Sequence, residues 1–149
     1  MNSGVAGYFA GGEVASSRVT TVDKFAFPGD GRTTLGTGLS SARRLQGSAA
    51  SSGVAGYFAG GDYYKLTTVD KFAFPADTRT TLGTGLSVGR LALAGAANSG
   101  VAGYFAGGSA AAGISSTVDK FAFPSDIRST LATGLSAGTY ALAGAADSG

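Results

Sequence analysis

An eight-residue string, VAGYFAGG, occurs three times in this chain, starting at Val5, Val54 and Val101. Each copy is followed by a copy of TVDKFAFP, which starts at Thr21, Thr68 and Thr117. A repeat of about 48 residues has the size of one propeller blade, a small sheet that buries its apolar faces only against neighbouring units. We therefore expect an array of similar sheets, although the three repeats are fewer than the roughly four to eight blades that close a ring.

Each repeat contains four segments with the features of β-strands. In the third segment, Val22 and Lys24 alternate with Asp23 and Phe25, which is the two-residue period of a pleated strand, and a proline ends it. The second segment is rich in glycine and alanine, which suits a strand buried on both faces, and its closing double glycines indicate turns. These glycines are Gly11, Gly12, Gly60, Gly61, Gly107 and Gly108. No segment keeps the 3.6-residue apolar period of a helix, so we predict an all-β chain.

The segments divide a single repeat domain, residues 1–149, into units. Residues 5–39 hold the second, third and fourth segments, residues 43–86 and 90–135 hold all four, and residues 139–146 hold a first segment alone. The units differ in length in the connection between their second and third segments, as expected of a surface loop.

The order of these segments resembles the kelch repeat. In that repeat an arginine opens the innermost strand, a double glycine ends the second strand, aromatic residues fill the third, and a large residue lies in the fourth. The arginines here are Arg43 and Arg90, with Thr139 in the third such position, and the fourth-strand residues are Leu35, Leu82 and Leu131 where tryptophan is usual. The resemblance implies blades of four antiparallel strands with the innermost strand first. Glycine- and alanine-rich repeats of this kind are also similar to segments of bacteriophage tail and fibre proteins.

The kelch order makes the two ends of the chain complementary. Residues 5–39 lack an innermost strand, whereas residues 139–146 form one that no second strand follows. An arc of three blades would expose strand edges and two apolar blade faces, which favour aggregation. We therefore expect a homodimer that closes a six-bladed ring, in which residues 139–146 of one copy complete the first blade of the other. A nine-bladed trimer and an open filament are the alternatives.

Composition excludes several classes of function. The chain has no cysteine, histidine or tryptophan, so zinc sites built from these ligands and Ser-His-Asp or Cys-His catalysis are excluded. Kelch-type copper oxidases need histidine ligands, and sialidase-like propellers need a glutamate beside arginine and tyrosine, whereas Glu13 is the single glutamate and lies in a predicted loop. We therefore predict that the protein is not an enzyme and that it holds no cofactor and no metal.

The charge and hydropathy of the chain also argue against nucleic-acid and membrane partners. Charged residues make up 13% of the chain and the net charge is +2, which is too weak for a nucleic-acid footprint. Residues 91–114 are uncharged, but they are rich in glycine, alanine and serine, and we predict two strands there rather than a membrane span. Met1 to Ser3 lead into the first repeat without a basic segment, so we expect no secretory signal.

Two kinds of loop are expected to form one rim of the array. In a four-strand meander, the connection from the second to the third strand and the connection to the next unit emerge at the same edge. The rim residues predicted to bind a ligand are Arg18, Tyr63, Tyr64, Lys65, Arg43, Arg44 and Arg90. Tyrosine and arginine are favoured at interfaces, so a glycan or protein ligand is expected there. The alternative is that these are ordinary solvated loop residues.

Two sets of aspartates recur in every unit. Asp23, Asp70 and Asp119 each precede a lysine, and we predict that they form structural hydrogen bonds or ion pairs, with a cation-binding ring of carboxylates as the alternative. Asp30, Asp77 and Asp126 each lie two residues before an arginine, where we expect turns in which the carboxylate bonds the backbone.

These patterns together predict a non-catalytic binding or structural module. An adhesive ring on a phage or other particle is the expected setting, with itself and a glycan or protein as partners. An intracellular kelch-like adaptor is one alternative, and a designed or fragmentary symmetric propeller without a ligand is another.

Overall fold

The structure is a computed structural model that describes residues 6–147. Val5, which opens the first repeat string, and Met1 to Ser3, where no secretory signal is predicted, lie outside the described residues. The described strands, in chain order, are β1 (Ala6–Ala10), β2 (Glu13–Val14), β3 (Ser17–Arg18), β4 (Val22–Ala26), β5 (Arg32–Thr34), β6 (Gly47–Ser51), β7 (Ala55–Ala59), β8 (Val69–Ala73), β9 (Thr78–Thr81), β10 (Arg90–Leu91), β11 (Ala94–Asn98), β12 (Ala102–Ala106), β13 (Ser109–Ala110), β14 (Gly113–Ile114), β15 (Val118–Ala122) and β16 (Ile127–Thr130).

The prediction of an all-β chain with antiparallel sheets is confirmed. Sheet 1 has the strand order β1-β4-β5, sheet 2 the order β6-β7-β8-β9, and sheet 3 the order β11-β12-β15-β16. Sheet 1 thus has three strands where sheets 2 and 3 have four, since within residues 6–147 no strand pairs with the second edge of β1. A hairpin of β2 and β3 and a small sheet of β10, β13 and β14 extend from the connections.

Two expected strands differ from the prediction. The segment that begins at Arg90 is split into β10 and β11 because Ala92 between them has a φ of 54°, which a continuous strand cannot adopt. Leu45 and Ala141 have φ angles of 61° and 54° at the matching positions. Residues 139–146 form no strand in the described part of the chain, since no strand within residues 6–147 pairs with them.

The repeated register gives each sheet two chemically different faces. Tyr8 lies opposite Lys24 in sheet 1, and the same pairing recurs as Tyr57 with Lys71 and as Tyr104 with Lys120. Because successive side chains alternate, one face of each sheet carries this tyrosine and the other carries phenylalanines. We call these the Tyr face and the Phe face. The Phe-face pairs, in edge-to-face contact, are Phe9 with Phe25, Phe58 with Phe72, and Phe105 with Phe121.

The core lies between the Tyr face of one sheet and the Phe face of the next. Phe58 and Phe72 of sheet 2 pack against Val22 and Leu39 of the first unit. In the same way Phe105 and Phe121 of sheet 3 pack among Tyr57, Val69 and Leu86 of the second unit. Full burial of one such phenylalanine contributes about 1.5–3 kcal/mol. The repeats therefore stabilise one another across these interfaces.

The first strands of sheets 2 and 3 approach so closely that a glycine is needed between them. A Cβ atom on Gly95 of β11 would collide with the backbone carbonyl of Ser48 on β6. Gly144 stands in the same relation to the carbonyl of Gly95. The residues after 142 therefore continue the stacking of β6 and β11 although they form no strand. None of the described residues belongs to a helix suited to crossing a membrane.

Candidate functional site

A completely buried ion pair links each of the two connections between sheets 1, 2 and 3 to the sheet that follows it. The Arg43 guanidinium Nη2 lies 2.9 Å from Oδ2 of Asp70 and also donates to the carbonyl of Phe58 at 3.2 Å. Arg90 repeats the arrangement at Asp119, again at 2.9 Å. These burials correct the prediction that Arg43 and Arg90 contact a ligand on the rim, because the guanidinium groups are turned inward to the aspartates and have no exposed surface.

The carboxylates of Asp70 and Asp119 are saturated with protein donors. Asp70 accepts hydrogen bonds from the Thr81 hydroxyl at 2.6 Å and from the backbone and hydroxyl of Ser40 at 2.8 and 2.9 Å. Burial opposes ionisation of Asp70, but these donors and Arg43 together hold its pKa below the ordinary value. Such carboxylates act as structural links between the end of one unit and the next sheet. Among residues 6–147 no group of three or more acidic side chains is placed to hold a metal ion.

A second repeated contact, which the sequence did not reveal, clamps adjacent sheets together. The Tyr8 hydroxyl donates to Oδ1 of Asp77 at 2.7 Å, and Lys24 Nζ donates to its Oδ2 at 2.8 Å. Tyr57 and Lys71 hold Asp126 in the same way, at 2.8 and 2.6 Å. We call this arrangement the Tyr-Lys-Asp clamp.

The clamp corrects the expected role of Asp77 and Asp126. Both lie in turns, with φ angles of 57° and 58°, but their carboxylates reach the preceding sheet rather than their own backbone. Burial and the bond to Asp126 raise the pKa of Tyr57, and burial and the bond to Asp77 raise the pKa of Tyr8. The signal for this contact in the sequence was the recurrence of a tyrosine, a lysine and an aspartate at equivalent positions of every unit.

Two further contacts accompany each clamp. The clamp tyrosine stacks on the phenylalanine that precedes the proline of the next unit, with centroid distances of 4.7 Å for Tyr8–Phe74 and 5.0 Å for Tyr57–Phe123. The arginine two residues after the clamp aspartate donates to a glycine carbonyl of the preceding unit. These bonds are Arg79 to Gly38 at 3.0 Å and Arg128 to Gly85 at 3.2 Å.

Sheets 1 and 3 each present one face that no other sheet covers among residues 6–147. The leading face is the Phe face of sheet 1 with its turn, and it carries Phe9, Phe27, Asp23, Asp30 and Arg32. Phe9 is 67% exposed, whereas its counterpart Phe58 is 6% exposed. Asp23 bonds Thr34 at 2.5 Å and lies 3.9 Å from Arg32, without the serine and buried arginine that hold Asp70.

The trailing face is the Tyr face of sheet 3 with the connection after it, and it carries Tyr104, Lys120, Leu131 and Ser136. Lys120 lies 5.9 Å from the ring centroid of Tyr104, and within residues 6–147 neither side chain has a clamp aspartate. Leu131 is exposed, whereas Leu35 and Leu82 are packed against the core. The leading and trailing faces therefore carry the two halves of the contact seen at each internal interface.

A cavity of about 630 Å³ runs along the unpaired edge of β1. Gly7 and Tyr8 line it on the side of β1, and Ala49 and Ala50 line it on the side of β6. Ala96 and Ala97 of β11 and residues 144–146 also line it, so the cavity borders the first strands of sheets 2 and 3 as well as the free edge of β1.

The tail of residues 139–146 begins in the register of an innermost strand. Gly108 N donates to the Thr139 carbonyl at 2.8 Å, as Gly61 N does to Arg90. Ala141 N donates to the Ala92 carbonyl at 2.8 Å, as Ala92 N does to Leu45 at 2.7 Å. Sheet 3 therefore holds the tail through Thr139 and Ala141, and Gly144 lies against the Gly95 carbonyl.

The double glycines position these connections. Gly60 and Gly61 have φ angles of 67° and 92°, and a Cβ on Gly60 would meet the backbone carbonyl of Arg90. Gly11, Gly12, Gly107 and Gly108 adopt the same left-handed conformations.

The other predicted rim residues come together at the connection between the first and second units. Arg18 pairs with Asp62 at 2.6 Å, and Arg44 pairs with Glu13 at 2.5 Å. The backbone joins the two pairs, since Asp62 N donates to the Arg44 carbonyl at 2.8 Å. Each arginine thus has an acidic partner, and the rim carries little net charge here.

Two tyrosines project from this rim. Tyr63 and Tyr64 are 71% and 77% exposed, and their rings meet edge to face with centroids 5.9 Å apart. The next residue, Lys65, turns away and donates to the carbonyl of Ala110 at 2.8 Å, which fixes the base of the loop. Exposed aromatic rings on an anchored loop are suited to stacking against another molecule.

Comparison with known proteins adds no assignment to this geometry. A scan against models of protein families found no match to this chain, and a search of curated proteins found no relative.

Proposed function

We propose that this chain is a non-catalytic building block of a kelch-like propeller, in which two copies close a ring of six sheets. The observation that carries the proposal is a pair of complementary features: β1 has a free edge beside a cavity, and the tail has the register of an innermost strand but forms no strand pair within residues 6–147. Free strand edges readily pair with a second chain, and exchange of identical elements is a low-cost route to a closed dimer.

The internal repeats define the pairing expected between the copies. Ala94 of β11 lies opposite Ala106, and Gly47 of β6 lies opposite Ala59. By the same register, Ala143 of one copy lies opposite Ala10 of the other. The tail would then complete sheet 1 as a four-stranded antiparallel sheet, and its small side chains suit the close stacking seen at Gly95.

Burial of the exposed end faces favours the closed ring over a separate three-sheet chain. Phe9 and Phe27 on the leading face are 67% and 51% exposed, and both would be covered by the trailing face of a second copy. Apolar faces of this kind are normally found at interfaces.

Light scattering of the purified 149-residue chain tests the assembly. We expect twice the chain mass of 14.5 kDa. Removal of residues 143–149 should give a monomer, whereas removal of residues 148–149 alone should leave the dimer. A stable monomer of the full chain, a trimer or an open polymer would refute the six-sheet ring.

An engineered disulfide tests the register, since the native chain has no cysteine. Cysteines at Ala10 and Ala143 should form a covalent dimer under oxidising conditions, because residues directly opposite in an antiparallel pair have Cα atoms about 4.5–5.5 Å apart. Cysteines at Ala10 and Ala146 are the control, because odd spacing along a strand places Ala146 on the other face. Equal cross-linking of both variants would reject this register.

The exposed pair of tyrosines supports a second role for the assembled ring, which is recognition of a ligand at the rim. We propose a neutral glycan as the ligand, since the neighbouring arginines are already paired with acids and sugar rings stack on aromatic faces. An adhesive module on a phage or other particle is the setting that we propose for such a ring.

A glycan array followed by titration of the best neutral sugar tests rim recognition. Substitution of Tyr63 and Tyr64 by alanine should abolish binding, whereas alanine at Val14, an exposed apolar residue in the matching connection of the first unit, should not. Binding of a defined peptide in place of any glycan would favour the adaptor alternative. Glycan binding that survives the double substitution would exclude this surface.

A further inference from the structure

We infer that Asp30 of one copy is the acidic member of a Tyr-Lys-Asp clamp whose other members are Tyr104 and Lys120 of a second copy. The inference rests on the proposed ring and names the side chains that recognise the partner. The partner surface is therefore the leading face of an identical chain.

The two clamps within the chain supply the geometry. In each, tyrosine and lysine on the Tyr face of one sheet hold the two carboxylate oxygens of an aspartate from the next unit, with distances between 2.6 and 2.8 Å. The clamp recurs with Asp77 and Asp126, so a third clamp would follow sheet 3 and use the first aspartate of the series, Asp30.

Both halves of this third clamp are already in the required conformation. Asp30 has a φ of 52°, close to the 57° and 58° of Asp77 and Asp126, and it is exposed. Tyr104 lies opposite Lys120 in the same register as Tyr57 and Lys71. Within residues 6–147 the Asp30 carboxylate bonds no other group, so it is available to a second molecule.

Three further contacts surround each internal clamp, and the residues equivalent to their two partners lie on the leading face and on the trailing face. Arg32 on the leading face corresponds to Arg79, which bonds the Gly38 carbonyl, and the matching carbonyl on the trailing face is that of Gly134. Ser136 on the trailing face corresponds to Ser40, which bonds Asp70, so the aspartate expected to accept from Ser136 is Asp23 of the second copy. Phe27 corresponds to Phe74, which stacks on Tyr8, and its match is Tyr104.

Such an interface joins two different surfaces, one from each copy, and a ring of two copies contains it twice. Reversal of one charge therefore damages both interfaces of a homodimer. When a Lys120→Glu chain is mixed with an Asp30→Lys chain, however, one interface combines the two changes and the other is native. Of the variant samples, only the mixture therefore places opposite charges at both interfaces of the ring.

The experiment measures dimer dissociation constants by analytical ultracentrifugation for the native chain, the two single variants and their equimolar mixture. We expect each variant alone to dissociate at least about tenfold more readily than the native chain, and the mixture to regain most of the loss. Any local strain from lysine at position 30 is the same alone and in the mixture, and Lys65 already adopts a φ of 56° in this chain. Thermal unfolding of each variant checks that it folds.

The outcomes separate this inference from the proposed ring. If the native chain is a monomer, the ring fails and the clamp between copies fails with it. If the native chain is a dimer and both single variants dimerise equally well, the ring stands and the clamp is overturned. If the mixture does not associate better than either variant, the pairing of Asp30 with Lys120 is also overturned, whereas recovery in the mixture supports it.

Discussion

The Arg43 guanidinium and the Asp70 carboxylate lie 2.9 Å apart, and both side chains are completely buried. Arg43 belongs to the connection after sheet 1, whereas Asp70 lies in β8 of sheet 2. The pair therefore fixes the position of one unit relative to the next. Burial lowers the pKa of Arg43, while Asp70 opposes that effect, so each charge depends on the other for its stability in the core.

Removal of this arginine should be strongly destabilising. We expect Arg43→Ala to cost about 3–5 kcal/mol, because it leaves the buried Asp70 without a counter-charge. Arg44→Ala is the matched control, since the neighbouring arginine is 40% exposed in its pair with Glu13 and should contribute about 0–1 kcal/mol. Urea unfolding followed by circular dichroism measures both. Similar costs for the two variants would argue against the buried pair.

A methyl group between the first strands of adjacent sheets should also be destabilising. We expect Gly95→Ala to lower the unfolding temperature by several degrees, because its Cβ would collide with the Ser48 backbone, which cannot move independently. Gly83→Ala is the control, since no atom lies within 4 Å of a Cβ there, and it should be neutral or slightly stabilising. Differential scanning calorimetry compares the two, and an unaffected Gly95→Ala would show that the strands are further apart.

The Tyr-Lys-Asp clamp predicts a loss of stability at alkaline pH. The pKa of Tyr57 is raised above its ordinary value of 10.0, by burial first and then by the bond to Asp126, and the bond to Asp77 raises the pKa of Lys24 above 10.5. Because these pKa values are higher in the folded state, the stability that they contribute is present below pH about 10 and is lost as the pH rises through the folded values.

Chemical unfolding at a series of pH values above 9 measures this loss, and Tyr57→Phe should make it shallower. Absorbance at 295 nm follows tyrosine ionisation directly. Ionisation of every tyrosine near pH 10 in a chain that is still folded would contradict the raised values.

Equivalent phenylalanines should differ sharply in their effect on stability. Phe58→Ala should cost about 3–5 kcal/mol, because the side chain is only 6% exposed. Phe9→Ala should leave the unfolding of the isolated chain nearly unchanged, since Phe9 is 67% exposed there, and should weaken the proposed association of two copies. Unfolding measured over a range of protein concentrations separates the two effects. Loss of stability by Phe9→Ala that does not depend on concentration would contradict the prediction.

Local patterns in the sequence were sufficient to predict most strands of the three main sheets. The alternation around Asp23 and Phe25 and the double glycines locate most of the ladder, because strand period and turn chemistry depend on neighbouring residues. The break at Ala92 was not predictable, since alanine has no preference for a φ of 54°.

The side-chain contacts between units were less predictable. The position of Arg43 in a connection suggested an exposed residue, although its guanidinium is buried against Asp70. Tyr8 and Asp77 are 69 residues apart, so their bond depends on how two sheets stack rather than on any local pattern. Comparison of equivalent positions across the three units, once the first clamp is known, does identify the others.

Position 139 holds a threonine where the two connections inside the chain hold Arg43 and Arg90. At the two junctions within the chain, the arginine guanidinium stays buried because its aspartate partner belongs to the same chain. In the proposed ring, the junction between two copies forms and dissociates, and an arginine there would have to lose and regain its hydration each time. In the proposed ring, Thr139 lowers that cost, so the junction between the copies would open and close more readily than the two junctions within the chain.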